Sequence, residues 1–147
     1  MSVDVTTEIV IRRPLAEVAE YASNPDNAPA WYTNIKRVDW VTKPPLEVGS
    51  RIAFVAQFLG RTLSYTYEVA ELTQNVRFVM RTAEGPFPME TTYTWESVPG
   101  GTCMSLRNRG NPSGFSRLFA PFMAFAMRKA NQKDLAALRA IFERNGD

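Results

Sequence analysis

Val3, Val5, Thr7, Ile9 and Ile11 alternate with Asp4, Thr6 and Glu8, a period of two that predicts a strand with one buried face. Arg13-Pro14 ends it, and Pro14 suits the first position of a helix running to about Ala22, with Leu15, Val18 and Tyr21 as its buried stripe. Ser23-Asn24-Pro25 breaks the chain, and a second short helix runs towards Trp31, limited by Pro29. Ile35 to Thr42 reads as a second strand closed by Lys43-Pro44-Pro45. Gly49-Ser50 opens a third, with Ile52, Phe54, Ala56 and Phe58 on one face. Gly60 reverses the chain into Thr62 to Leu72, where Leu63, Tyr65, Tyr67 and Val69 share a face. Strands over Val76 to Ala83 and Phe87 to Val98 follow, and Pro99-Gly100-Gly101 is the clearest hairpin turn. Thr102 to Arg109 is the last strand.

The period then changes. From Ser113 to Glu143, behind an Asn111-Pro112-Ser113 cap, apolar residues recur at spacings of three and four, predicting one long helix. Phe115, Leu118, Phe119, Phe122, Met123 and Ala126 form the stripe of its first half, and Ala130, Leu135, Leu138, Ile141 and Phe142 that of its second. Pro121 removes a helical hydrogen bond and is expected to kink the helix near Arg117, which would make Phe115 to Pro121 a gate if the kink moves. One strand, two short helices, six strands in hairpin-like succession and one long helix make an α+β chain. The strands form a meander that twists and curls, and the first strand can join its far edge. A helix laid in the concave side of that sheet encloses a space.

Composition mainly excludes. At 147 residues, with 45% apolar and 22% charged residues, the chain reads as one globular domain, 1–147. A net charge of +2 without a compact basic run gives no case for nucleic acid. The longest apolar run, Leu118 to Met127, is too short for a transmembrane segment, and the start lacks the pattern of a signal peptide. The single cysteine, Cys103, excludes an internal disulfide and agrees with a reducing, cytoplasmic setting. There is no histidine, which removes Ser-His and Cys-His pairs and histidine metal ligands. No catalytic residue, cofactor or metal is assigned, and a homodimer stays open.

Several features together resemble the START-like, or helix-grip (Bet v 1-like), superfamily, in particular its polyketide cyclase/dehydrase-like SRPBCC branch. They are Ile11-Arg12-Arg13-Pro14-Leu15-Ala16-Glu17-Val18, Trp31, Pro45-Leu46-Glu47-Val48-Gly49 and Tyr67-Glu68-Val69. Tyr93-Thr94-Trp95-Glu96, Gly100-Gly101-Thr102 and Leu135 to Glu143 complete the set, so the likeness covers essentially the whole chain. It implies a curved seven-stranded antiparallel sheet, two short helices after the first strand and a long C-terminal helix gripping the concave face. It also implies that a cavity, rather than a filled core, lies between them. Members of the superfamily include cyclases and carriers of lipids and quinones, so the resemblance specifies no reaction.

The candidate ligand-binding residues are the large side chains of the presumed concave side: Phe54, Phe58, Tyr65, Tyr67, Phe78, Met80, Tyr93 and Trp95 from strands. Phe119, Phe122, Met123 and Ala126 join them from the helix, and Trp31 from the loop at one end. Taken singly each reads first as a core residue, and Trp31 as a staple holding the short helices to the sheet. The tyrosines carry polar tips that orient a ligand in an apolar cleft. Asp134 lies beside the helix stripe, where an ion pair is expected and a proton-donating acid is the alternative. Glu68, Arg81 and Glu90 fall on the outer face. Arg107-Asn108-Arg109 reads as a solvated strand end, the alternative being an anion site at the cavity mouth. Cys103 points away from Thr102 and Met104 as a packing residue.

Three functions fit. The first is binding of a hydrophobic or amphipathic small molecule: a lipid, quinone, polyketide or aromatic metabolite. The second is an enzyme of the cyclase or dehydratase type without histidine. The third is a protein- or membrane-docking module using the basic face of the long helix. A buried carboxylate or unpartnered tyrosine inside the cavity favours the enzyme, purely apolar walls the carrier, and an exposed apolar patch beside the basic helix the docking module.

Overall fold

The computed structural model describes residues 3–58, 60–85, 87–111 and 120–144. The chain enters through β1 (Val3–Ile11), then α1 (Leu15–Ser23), a 3-10 turn at Pro25–Asn27 and α2 (Ala28–Trp31). Six strands follow: β2 (Ile35–Trp40), β3 (Arg51–Phe58), β4 (Arg61–Thr73), β5 (Arg77–Glu84), β6 (Met89–Val98) and β7 (Gly101–Gly110). The long helix α3 (Ala120–Arg144) ends the described chain. The strands form one antiparallel sheet in the order β1-β7-β6-β5-β4-β3-β2. Consecutive strands pair as neighbours, and β1 adds to the free edge of β7, as the meander requires.

Turn chemistry fixes the hairpins. Gly60 and Gly100 take the left-handed conformation, with φ of 75° and 83°, and Asn75 does so at φ 65° in the turn after β4. Two register shifts in β4 against β5, after Thr66 and after Val69, bend the sheet. The second shift carries the inward face from Val69 to Leu72, which pairs with Phe78. The start of β6 at Met89 rather than Phe87, and the end of β2 at Trp40 rather than Thr42, trim the expected strands slightly.

α3 packs against β1 and α2 across the concave face, the α+β helix-grip arrangement. Its residues are mostly good helix formers, and burial is confined to one stripe: Met123, Asn131, Asp134, Leu135 and Leu138. The core divides in two. The larger cluster joins Leu135 and Leu138 to Ile11, Val18, Trp31 and the inner faces of β3 to β7; the smaller joins Met123 to Val3 and Val5. The expected segment 113–119, with the kink near Arg117 and the gate, lies outside the described residues. Among the described residues no helix is long and apolar enough to cross a membrane.

Candidate functional site

Period-two alternation sends the same parity of each strand inward. Across the sheet the cross-strand partners are therefore inner-face neighbours: Ala56 with Leu63, Phe54 with Tyr65, Phe78 with Tyr93, and Thr91 with both Met80 and Asn108. These side chains do not meet α3 everywhere. A cavity of about 150 Å3 remains between them, bordered by residues of both core clusters. That is roughly ten times the space one water needs. β3 contributes Phe54, Ala56 and Phe58; β4 Leu63, Tyr65 and Tyr67; β5 Phe78, Met80 and Thr82. β6 contributes Met89, Thr91 and Tyr93, and β7 Asn108. Met123, Met127, Ala130, Asn131 and Asp134 of α3 form the roof, and Tyr32, Asn34 and Ile35 close the side under α2.

The aromatic walls are preformed. Phe54 stacks on Tyr65 with ring centroids 5.5 Å apart, and Tyr65 lies 5.0 Å from Tyr67. Tyr93 meets Phe78 edge-on at 5.7 Å. Within this apolar lining sit two polar groups of residues. In the first, the hydroxyls of Tyr67 and Thr91 are 2.9 Å apart, Thr91 donates to Asn108 Oδ1 at 2.5 Å, and Asn108 Nδ2 donates to Asn131 Oδ1 at 3.2 Å. In the second, the hydroxyls of Tyr32 and Tyr93 share a hydrogen bond of 2.5 Å, and Asp134 Oδ1 accepts from the Thr33 amide at 2.9 Å and its hydroxyl at 3.0 Å. The Tyr65 hydroxyl makes no hydrogen bond among the described residues.

Burial governs protonation here. It holds the Tyr32, Tyr65 and Tyr93 hydroxyls well above the usual phenol range and pushes Tyr67 up to about 12 against the opposing bond from Thr91. All four are neutral hydrogen-bonding groups near pH 7. Burial also raises the Asp134 carboxyl from 3.8 to about 6, partly offset by the Thr33 amide and hydroxyl. The ion pair expected for Asp134 is absent among the described residues, because the connection between α2 and β2 supplies Thr33 and no arginine.

Of the candidate residues, Phe54, Phe58, Tyr65, Tyr67, Phe78, Met80, Tyr93 and Met123 are brought together around the cavity. Trp31 and Trp95 are buried but do not line it. Trp31, 1% exposed, packs on the rings of Tyr32 and Tyr93, the staple position. Phe122 is 53% exposed, and Ala126 is half-buried off the cavity. Both stand one residue round the helix from the roof row Met123, Met127, Ala130 and Asn131. Phe119 lies outside the described residues. Pattern reading passed over Tyr32, Thr91 and Asn131, and placed Asn108 at a solvated strand end. Alternation with Tyr93 and Leu106 points Thr91 and Asn108 inward, and Asn131 sits four residues before Leu135 on the buried stripe. Their polarity masked that signal.

The arginines of β7 face outward, against an anion site at the mouth. Arg107 binds Asp4 at 2.6 Å and Arg109 binds Glu90 at 2.8 Å, while Arg81 reaches the same Glu90 at 2.6 Å. Cys103 is half-buried on that outer face, its thiol raised by burial and by Glu8 and Glu96. Among the described residues no cluster of His, Cys, Asp and Glu could hold a metal ion.

Solved structures carry the same fold at low identity. A protein from Thermus thermophilus superposes with a TM-score of 0.84 at 18% identity, covering 98% of this chain and 99% of its own. The Zhui aromatase/cyclase from Streptomyces sp. R1128 gives 0.83 at 12% identity, covering 100% of this chain and 97% of its own. A START superfamily protein from Mycobacterium smegmatis gives 0.82 at 13% identity, with 96% and 97% covered. A comparison with curated protein sequences finds no significant match. The family model described as polyketide cyclase / dehydrase and lipid transport matches residues 2–143. With β1, the meander and nearly all of the gripping helix inside that match, the chain belongs to this polyketide cyclase/dehydrase and lipid transport family.

Proposed function

We propose that this protein binds a hydrophobic or amphipathic small molecule in the cavity under α3. The observation that carries the reading is a belt of inward aromatic and methionine side chains that lines an open cavity with hydrogen-bonding groups set into its walls. Apolar burial would supply the affinity, at about 25 cal/mol per Å2, and the buried polar groups the orientation. Lipids, quinones, polyketides and aromatic metabolites all belong to the range of ligands.

One observation favours a second reading, turnover of the bound molecule. Asp134 lines the cavity with its carboxyl raised to about 6, so it holds a proton in part of the population near neutral pH, and the Tyr65 hydroxyl belongs to the same lining. An acid so placed can give a proton to a ligand oxygen and take it back, the work a cyclisation or dehydration needs. Phe122 and Phe125, 53% and 59% exposed with Lys129 5.7 Å over the Phe125 ring, are the feature a docking module would use, but two rings make a small patch.

Native mass spectrometry of protein purified gently from its own host tests the binding reading, followed by extraction of what is bound. A recovered hydrophobic molecule supports it and names a compound to incubate with wild type and Asp134→Asn for turnover. Protein that arrives empty and ignores a panel of apolar fluorescent probes overturns it.

A further inference from the structure

Asp134 is a buried acid whose site the fold leaves unfinished. Its side chain is 2% exposed and belongs to the cavity lining. Thr33 fixes one oxygen, Oδ1, through its amide at 2.9 Å and its hydroxyl at 3.0 Å. Oδ2 has no partner among the described residues, yet it is not fully occluded, as the unpartnered Arg13 Nε, Trp31 Nε1, Trp95 Nε1 and Asn131 Nδ2 are. The surface it keeps faces the cavity. The carboxyl group is thus held in place through one oxygen and open to a donor through the other. Asp4 and Glu90, by contrast, are met by arginines on the outer face of the sheet.

The rest of the lining shows what would complete the site. Among the described lining residues there is no lysine or arginine, and Asp134 is the single carboxylic acid. The titratable groups facing it are the Tyr32, Tyr65 and Tyr93 hydroxyls, which burial keeps neutral, and Lys133 beside it on α3 is exposed. A neutral ligand that dries the cavity would leave the carboxylate unhydrated and unpaired, and an anion would add repulsion. A cation would pair with it and lie among Phe54, Tyr65, Tyr67 and Tyr93, since aromatic ring faces attract positive charge. Walls this apolar do not replace the hydration of a bare ion, so the charge must arrive on an apolar body. We infer that the cavity takes a hydrophobic amine in its protonated form, its ammonium group donating to Asp134 Oδ2 and its apolar body resting on the aromatic walls. The inference rests on the binding function proposed above and names the charge of the ligand.

Three probes with one ring system separate the terms: 2-(aminomethyl)naphthalene, 2-ethylnaphthalene and 2-naphthoate. They are titrated by calorimetry at about pH 7.5, where the amine is protonated and Asp134 ionised. The amine is expected to bind roughly tenfold tighter than the ethyl compound, and naphthoate more weakly than either. In Asp134→Asn the amine-to-ethyl ratio falls to about one. In wild type the amine keeps its charge on acidification, but Asp134, titrating at about 6, loses its own. Amine affinity therefore falls roughly fivefold by about pH 5, while that of 2-ethylnaphthalene holds or rises. Naphthoate binding as tightly as the amine, an amine-to-ethyl ratio untouched by Asp134→Asn, or an amine affinity that rises towards acid overturns the inference. Should that variant fail to fold, the wild-type affinity order and pH profiles decide. If 2-ethylnaphthalene binds with no preference for the amine, only the Asp134 subsite falls. If none of the three binds, the binding function falls with it.

Discussion

Asp134→Asn removes one charge from the cavity roof and changes almost nothing in shape. The wild-type carboxyl titrates at about 6 in the fold against 3.8 in the open chain. The native state therefore holds this proton more tightly than the unfolded state, and ionisation works against folding. The penalty is complete above the folded value and vanishes below the unfolded one. About two units at 1.36 kcal/mol each give roughly 3 kcal/mol at pH 8, falling to roughly 1 kcal/mol at about pH 4.5. Asparagine keeps an oxygen for the Thr33 amide and hydroxyl and never ionises, so it escapes the penalty. Asp4 and Glu90 titrate oppositely, held low by Arg107 and by Arg81 and Arg109, and their stabilisation is lost only at lower pH and equally in both proteins. Urea unfolding followed by tryptophan fluorescence across about pH 4.5 to 8 should show the variant more stable at the alkaline end, with the gap narrowing by about 2 kcal/mol towards acid. A gap that stays constant with pH would mean that Asp134 is not the desolvated acid described here.

Further outcomes test the frame around the cavity. A Cβ on Gly101 would collide with the Ile11 carbonyl oxygen, so Gly101→Ala should strain the β1–β7 seam and lower stability by about 1–3 kcal/mol in the same unfolding assay. Leu138, fully buried where α3 meets the main core, should cost about 2–5 kcal/mol on truncation to alanine. Arg107→Ala breaks only an exposed, solvent-screened pair with Asp4 and should leave the thermal midpoint nearly unchanged, in high salt especially.

The strands and their inner faces were legible because alternation is local. Phe54 and Ala56, Tyr65 and Tyr67, and Phe78 and Met80 point inward as their spacing says. The bulge after Val69 is different: strict alternation would turn Glu71 inward, and only pairing with β5 puts Leu72 there instead. The helix misled by one residue. Phe122 is larger than its neighbours and drew the stripe towards itself, yet the buried row is anchored at the other end by Leu138, Leu135 and Asn131. Counting back from those residues by three and four reaches Met127 and Met123. Thr91, Asn108 and Asn131 stayed hidden for another reason: the hydrogen-bond chain with Tyr67 that makes these buried polar groups tolerable is assembled from four distant parts of the sequence, and no local pattern records it.

The cavity supplies its own reporters. Met80, Met89, Met123 and Met127 line it, while Met104 is fully buried elsewhere in the core. With carbon-13 methyl groups on methionine, titration with 2-ethylnaphthalene should move the four cavity methyls through the ring current of the ligand and give contacts from its ring protons to them. Met104 should stay nearly still. If the four cavity methyls do not respond at saturating ligand, or if Met104 responds and they do not, the space beneath α3 is not a binding site and the central claim is wrong.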